Sequence, residues 1–368
     1  MSDVDVLAFV EDPGAANLVL DLDAALAKHN LSLELWADGT ARDYLSARNV
    51  EFLEVTGRLQ RLNSDTARLL AIGTSETPEG STFTLLAKAR QLGVPTVGLI
   101  DSPANATERF RGTSNNSLKH LPDWLIVTDQ TTALAFTNLN VSKNRIKLAA
   151  NPALLRARLR GTKLAQGDRA GQRKRLFGKD TSPVIVFLSE RSDGLNSADF
   201  SRTPDYTLVG RGTSNARTDI VFEALLDATA TLAPTPRIVV CLHPKELLNK
   251  NAAAYNGSHH ISTSSDPLEL CETADLVVGM TTTLLSETHQ MGQRVLSIVP
   301  RPEERKWLAD LATDTIPCVW QTDAIAPTLE RLLSTESRQP LPPEGSLLGD
   351  ILAELTHDAL RAHTTQTG

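Results

Sequence analysis

The chain has 368 residues with 41% hydrophobic content, room for two domains at about 150 residues each and enough apolar material for two cores. Its 37 Lys and Arg stand against 44 Asp and Glu, a formal charge of −7, so no global basic field exists to hold nucleic acid or an anionic membrane. No basic leader with an apolar core opens the sequence, no stretch approaches about 18 uninterrupted apolar residues, and Cys241, Cys271 and Cys318 form no C-x-x-C pair, so the expectation is a soluble cytoplasmic protein with no transmembrane segment, disulfide framework or zinc knuckle.

Val4–Val10 (VDVLAFV) is a short apolar, β-branched run ending at Asp12-Pro13-Gly14, and Leu18, Val19, Leu22, Ala25 and Leu26 follow at helical spacing. The pattern predicts strand, loop and helix. Strands are expected again at 33–37, 51–55, 69–73, 94–100 and 124–128, with helical patterns such as 81–92 among them. Repeated β and α units imply a parallel sheet covered on both faces. Between Arg156 and Lys179 nine Lys or Arg face one acid, Asp168, which reads as a solvated helix and linker at a domain junction. The alternation then restarts, with strands at 184–188, 237–242, 275–279 and 294–299 and a helix over 219–232. Residues 189–206 are polar and aperiodic, as in a long loop or a disordered insert. Leu347, Leu348, Ile351, Leu352, Leu355 and Leu360 lie on one face of a terminal helix that packs on a domain. The expected fold is α/β, with two Rossmann-like domains facing a cleft: 1–155 on the acceptor side, a basic linker 156–182, a nucleotide-binding domain 183–343, and a C-terminal helix and tail 344–368.

Two loops carry candidate chemistry. Glu11-Asp12-Pro13-Gly14-Ala15-Ala16-Asn17 leaves the C-terminal end of the first strand and opens a helix, where open α/β sheets place their ligands. Gly14 lets a ligand approach the backbone, the helix start favours negative charge, and Asp12 or Glu11 could take a proton from an attacking hydroxyl. A plainer role also fits: Asp12 starts a turn before Pro13 and Asn17 caps the helix. The loop is neither G-x-G-x-x-G nor a P-loop with its lysine. In the second half, Gly279-Met280-Thr281-Thr282-Thr283 runs from a strand into a helix, and its N–H and hydroxyl groups suit a diphosphate, with Glu287 about one turn on and within reach of a ribose hydroxyl. The alternative is that the threonines cap the helix and Glu287 is solvated. His243-Pro244-Lys245 and Arg301-Pro302-Glu303-Glu304-Arg305 follow neighbouring strand ends. Without clustered carboxylates or Cys/His ligand spacing, no metal or cofactor is expected.

On these residues the second half resembles the nucleotide-binding half of GT-B type glycosyltransferases and of the non-hydrolysing UDP-N-acetylglucosamine 2-epimerases, through the loop at Gly279, the helix 284–291, Gly292 and the strand 294–299. The first half is similar to bacterial proteins tied to surface polysaccharide synthesis. Asp12 to Asn17 (DPGAAN), Gly73-Thr74-Ser75, Gly93-Val94-Pro95 leading to Asp101, Glu108-Arg109-Phe110 and Leu121-Pro122-Asp123 carry that likeness. There are departures. Ser102-Pro103 follows Asp101 where those relatives have His and an aromatic residue, the epimerases' N-terminal Gly-Thr-Arg-Pro-Glu is absent, and Gly279-Met280-Thr281 replaces their acidic loop.

The resemblance implies a metal-independent glycosyltransferase that moves a sugar from a nucleotide-sugar, a UDP-sugar foremost, to a surface glycan or small-molecule acceptor. Gly279, Thr281, Thr282 and Thr283 would hold phosphate, His243 and Lys245 the leaving diphosphate, and Glu287 the ribose. Asp12 or Glu11 would be the base, and Gly14, Asn17, Asp101, Arg109 and Arg301 complete the substrate-binding set. The alternatives are a 2-epimerase-like activity on a UDP-sugar and a non-catalytic nucleotide-sugar-binding protein. A homodimer is compatible with each.

Overall fold

The computed structural model describes residues 4–56, 67–74, 77–164, 167–178, 181–190, 200–212, 214–243, 246, 255, 258, 260–262, 266–335 and 346–366. The chain divides into two compact units, residues 1–153 with 343–368, and residues 154–342. The first contains β1 (Val4–Val10), β2 (Leu33–Ala37), β3 (Leu53–Glu54), β4 (Ala67–Gly73), β5 (Thr96–Ile100), β6 (Trp124–Val127) and β7 (Ile146–Leu148). They form one parallel sheet in the order β3-β2-β1-β4-β5-β6-β7. Successive β1 side chains enter opposite cores. Val6, Ala8 and Val10 pack with Leu18, Leu22 and Leu26, while Leu7 and Phe9 pack with Leu85, Leu86 and Ala89. A strand covered on both faces has no polar side to show, which is why β1 reads as a continuous apolar run from Val6 to Val10.

The second unit contains β8 (Val184–Leu188), β9 (Arg237–Cys241), β10 (His260–Ser262), β11 (Leu276–Gly279), β12 (Val295–Ile298) and β13 (Cys318–Val319). These are also all parallel, ordered β10-β9-β8-β11-β12-β13. In each sheet the strand order runs outward from the first strand and then reverses, so a switch point lies between β1 and β4 and another between β8 and β11. Ligands of open α/β sheets sit at such points, beyond the carboxyl ends of the strands.

The described residues of the basic stretch belong to the second unit and lie mostly in the helices Pro152–Leu164 and Arg169–Phe177. Arg160 pairs with Glu272 and, at 2.7 Å, with Asp266; Arg173 pairs with Asp275 at 2.7 Å, and Arg175 with Glu269 at 2.5 Å. The basic run thus faces the acidic helix Pro267–Thr273 and its flanks. The C-terminal helix Leu348–Gln366 returns to the first unit, where Leu348, Ile351, Leu352 and Leu355 join Leu22 and Leu26 in one core. Gly349 lies so close to Ala25 that a Cβ would collide with the Ala25 methyl. Gly349→Val is therefore expected to destabilise the first unit by about 1–3 kcal/mol through overpacking, read as a lower urea midpoint. An unchanged midpoint would show that the two helices separate at no cost.

Candidate functional site

At the first switch point the chain leaves β1 through Glu11. Its buried carboxylate crosses to the helix that follows β4, Ser81–Leu92, where Oε1 accepts the Ser81 N–H at 2.6 Å and Oε2 the Thr82 hydroxyl at 2.7 Å. The N-cap of that helix is Gly80, which has no side chain to offer, so Glu11 supplies the cap from 70 residues away. Burial pushes the Glu11 carboxyl above its ordinary value, against the lowering effect of the Thr82 and Ser81 hydrogen bonds. Asp12 behaves differently. It is the N-cap of Pro13–Val19, and its backbone carbonyl accepts the Ala16 N–H at 2.9 Å, but its carboxylate makes no capping hydrogen bond. Asn17, expected from sequence to cap the helix, lies inside it instead, while Asp12, expected to start a turn before Pro13, stands at the N-cap position.

Three further predicted residues meet beside this loop. A Cβ on Gly14 would collide with Asp101 Oδ2, so the glycine permits the helix start to approach the end of β5. Asp101 Oδ1 accepts from Arg109 Nη1 at 2.9 Å. The buried Arg109 guanidinium also donates to Thr74 Oγ1 at 2.7 Å, Ser102 Oγ at 3.0 Å and the Ala104 carbonyl at 3.0 Å. It thereby ties the ends of β4 and β5 to the loop after β5.

At the second switch point, Glu190 stands two residues beyond β8 and places its carboxylate over the end of β11. Oε1 accepts N–H bonds from Met280 and Thr281, both at 2.8 Å, and from Thr282 at 3.1 Å. Oε2 accepts the Thr281 N–H and hydroxyl, each at 3.0 Å, and lies 3.4 Å from Arg217 Nη1. The three consecutive N–H groups form an anion-binding nest ahead of the helix Thr283–Gln290, which Thr282 caps through Leu284 N–H. The loop expected to cradle phosphate therefore converges on one point, and a carboxylate of the protein fills it.

Arg217, the first residue of the helix Arg217–Thr229, is 1% exposed. It donates to Glu304 Oε2 at 2.6 Å and to Thr281 Oγ1 at 3.1 Å, and its guanidinium lies 5.2 Å from the Trp307 ring centre. Burial works against its charge, but Glu304 and Glu190 outweigh that and hold its pKa above the ordinary value. Arg301 extends the array, donating to Glu304 Oε1 at 3.0 Å, Asp205 Oδ2 at 3.0 Å and Thr203 Oγ1 at 3.1 Å. Glu190, Arg217, Glu304, Arg301 and Asp205 thus alternate in sign. Beside them the buried Tyr206 hydroxyl has no hydrogen-bond partner among the described residues, and burial followed by the Glu304 charge pushes its pKa up to about 12.

The end of β9 is tied to that of β8. His243 N–H donates to Glu246 Oε2 at 2.9 Å, Tyr255 OH to Glu246 Oε1 at 2.6 Å, and Ser189, the neighbour of Glu190, also donates to Glu246. Lys245 lies outside the described residues. Thr283 begins its helix, and Glu287 is buried within it. The structure thus gathers Gly279, Thr281 and Thr282 around the nest and links Arg301 to them through Glu304 and Arg217. Sequence reasoning missed Glu190 and Arg217. The available signal for Glu190 was an acid just past a fully apolar strand, the same placement as Glu11 after β1. Among the described residues no group of three or more His, Cys, Asp or Glu could hold a metal ion, and no helix is long and apolar enough to cross a membrane.

No protein-family model and no curated protein sequence matches the chain. Solved structures do. UDP-GlcNAc 2-epimerase from Methanocaldococcus jannaschii, in complex with UDP-GlcNAc and UDP, matches with a TM-score of 0.65 at 13% identity, over 96% of this chain and 99% of that one. The UDP-GlcNAc 2-epimerase from Neisseria meningitidis, bound to UDP-GlcNAc, matches with 0.63 at 13% identity, over 97% and 100%. Anabaena HepE in complex with UDP-glucose matches with 0.53 at 13% identity, over 98% and 100%. Two parallel sheets, each with its own switch point, and matches over 96% or more of both chains identify the fold as the two-domain, Rossmann-like GT-B fold of UDP-GlcNAc 2-epimerases.

Proposed function

We propose that the protein is an enzyme acting on a UDP-sugar, with epimerisation at C2 of a UDP-N-acetylhexosamine as the first reading. The observation that carries it is the nest at 280–282, where backbone N–H groups converge on an anion at the switch point of the second sheet. Similar structures named above, which hold UDP-GlcNAc, support the choice of nucleotide. In this reading the diphosphate takes the nest, Thr281 and Thr282 add hydroxyls, and Arg217 neutralises developing charge. His243 faces the diphosphate and Glu287 the ribose. Asp12 moves the proton. Because these donors are N–H, hydroxyl and guanidinium groups, turnover should persist in EDTA.

Transfer to an acceptor hydroxyl, the reaction expected from sequence, is the second reading, and one observation favours it. Inversion at C2 must remove a proton from one face and return it to the other, which asks for two acid–base groups. Within Glu11–Asn17 the Asp12 carboxylate makes no capping bond, whereas Glu11 caps a helix and, beside them, Asp101 pairs with Arg109. One carboxylate is enough to deprotonate an acceptor. The deciding experiment incubates the protein with UDP-GlcNAc in D2O and follows the sugar by NMR. Deuterium at C2 with appearance of the C2 epimer supports the first reading; UDP release that depends on an added acceptor supports transfer. Absence of UDP and UDP-GlcNAc binding at millimolar concentration would sink both.

A further inference from the structure

The occupant of the nest is itself informative. Glu190 receives from the β11 loop the N–H groups of Met280, Thr281 and Thr282 and the Thr281 hydroxyl, with Arg217 alongside. That is the donor set a phosphate group takes at a helix start. The twin arrangement in the first unit offers the contrast: Glu11 serves a helix proper through Ser81 N–H and Thr82 hydroxyl, and no arginine bonds to it among the described residues. At Glu190 the cation has a second anion. Arg217 is held as well by a 2.6 Å bond to the fully buried Glu304. Withdrawal of Glu190 therefore leaves Arg217 paired and the nest short of one anion, a vacancy that a negatively charged ligand fills and a neutral one does not.

We infer that Glu190 is a built-in competitor, an intramolecular anion that occupies the diphosphate position of the second unit and must be displaced for a diphosphate to bind there. This rests on the UDP-sugar reading for the identity of the ligand, though not for its charge. A tethered carboxylate needs no encounter to bind, so it raises the concentration at which a diphosphate takes hold and discriminates against weakly charged ligands. The apparent dissociation constant equals the intrinsic one divided by the fraction of molecules with an open nest. With about 1–10% open, removing the competitor tightens diphosphate binding by about ten- to a hundredfold. Uridine, which lacks phosphate, should be indifferent to the change.

The test is calorimetric titration of wild type, Glu190→Ala and Glu190→Gln with pyrophosphate, UDP and uridine, with folding checked by far-UV circular dichroism. The Ala variant is expected to bind pyrophosphate and UDP about ten- to a hundredfold more tightly than wild type, with Gln between, since its amide oxygen keeps N–H bonds but carries no charge. Should the Ala variant fail to fold, the isosteric Gln variant keeps the comparison. Tighter pyrophosphate binding with no UDP binding by any form upholds the competitor and removes the UDP-sugar reading. UDP binding to wild type that is equal or weaker in the folded variants overturns the competitor and leaves that reading standing. No binding of either anion by any form overturns both.

Discussion

Asp12→Asn is expected to lower turnover about 100-fold or more while leaving the melting temperature almost unchanged. The expectation follows from how the first-unit loop spends its two adjacent carboxylates. Glu11 points into the protein and caps Ser81–Leu92 with both oxygens, whereas Asp12 serves the helix Pro13–Val19 only through its backbone carbonyl. Asparagine keeps the extended backbone that Asp12 adopts and loses only the proton-accepting charge. Glu11→Gln supplies the contrast. Its amide nitrogen cannot accept, so the Ser81 N–H or the Thr82 hydroxyl loses its partner inside the fold, at a cost of about 1–3 kcal/mol. The two variants should thus separate cleanly, one losing rate and the other losing stability. Measured turnover in Asp12→Asn within a few-fold of wild type would make the loop architecture and direct attention to Asp101, the next carboxylate beside it.

Arg217→Met should produce the largest loss of stability in the second unit. Glu304 is 0% exposed and would keep, among the described residues, the 3.0 Å bond from Arg301, while Glu190 would lose the guanidinium 3.4 Å away. Removing one member of a buried ion array costs about 3–5 kcal/mol, because the partner's charge stays behind in a medium that solvates it poorly. For a unit of this size the melting temperature falls by about 2–4 °C per kcal/mol, so a drop of about 6–20 °C is expected in thermal unfolding followed by circular dichroism. Adding Glu304→Gln should restore part of it, since the stranded charge is then gone. A change below about 2 °C in the single variant would mean that water or Arg301 fully compensates Glu304.

The strand at 51–55 illustrates the limit of periodicity, since only Leu53–Glu54 pairs with β2 at the sheet edge. β7, β10 and β13, of three, three and two residues, escaped sequence reading because a run that short carries no period. The basic stretch after Arg156 illustrates a different limit. Its charge density is plain in sequence, but the acids that neutralise it, Asp266, Glu269, Glu272 and Asp275, lie far along the chain, so a packed helix pair looks like a solvated linker.

Local chemistry was decided by the sequence itself. Apolar runs long enough to be buried on both faces specify β1, β8 and β9, and small residues after β1 and hydroxyl residues after β11 mark the loops at the two switch points. These features depend on neighbours a few positions apart, where residue type and backbone preference suffice. What fills those loops was decided only by tertiary structure. Glu11 meets Ser81 across 70 positions, Glu190 meets Thr281 across 91, and Arg217 meets Glu304 across 87. The first two partners are chosen by strand order: a sheet that places its fourth strand beside its first brings the acid at one strand end onto the helix start at the other. Side-chain charge fixes that such a group must be paired once it is buried, and only the topology determines with whom.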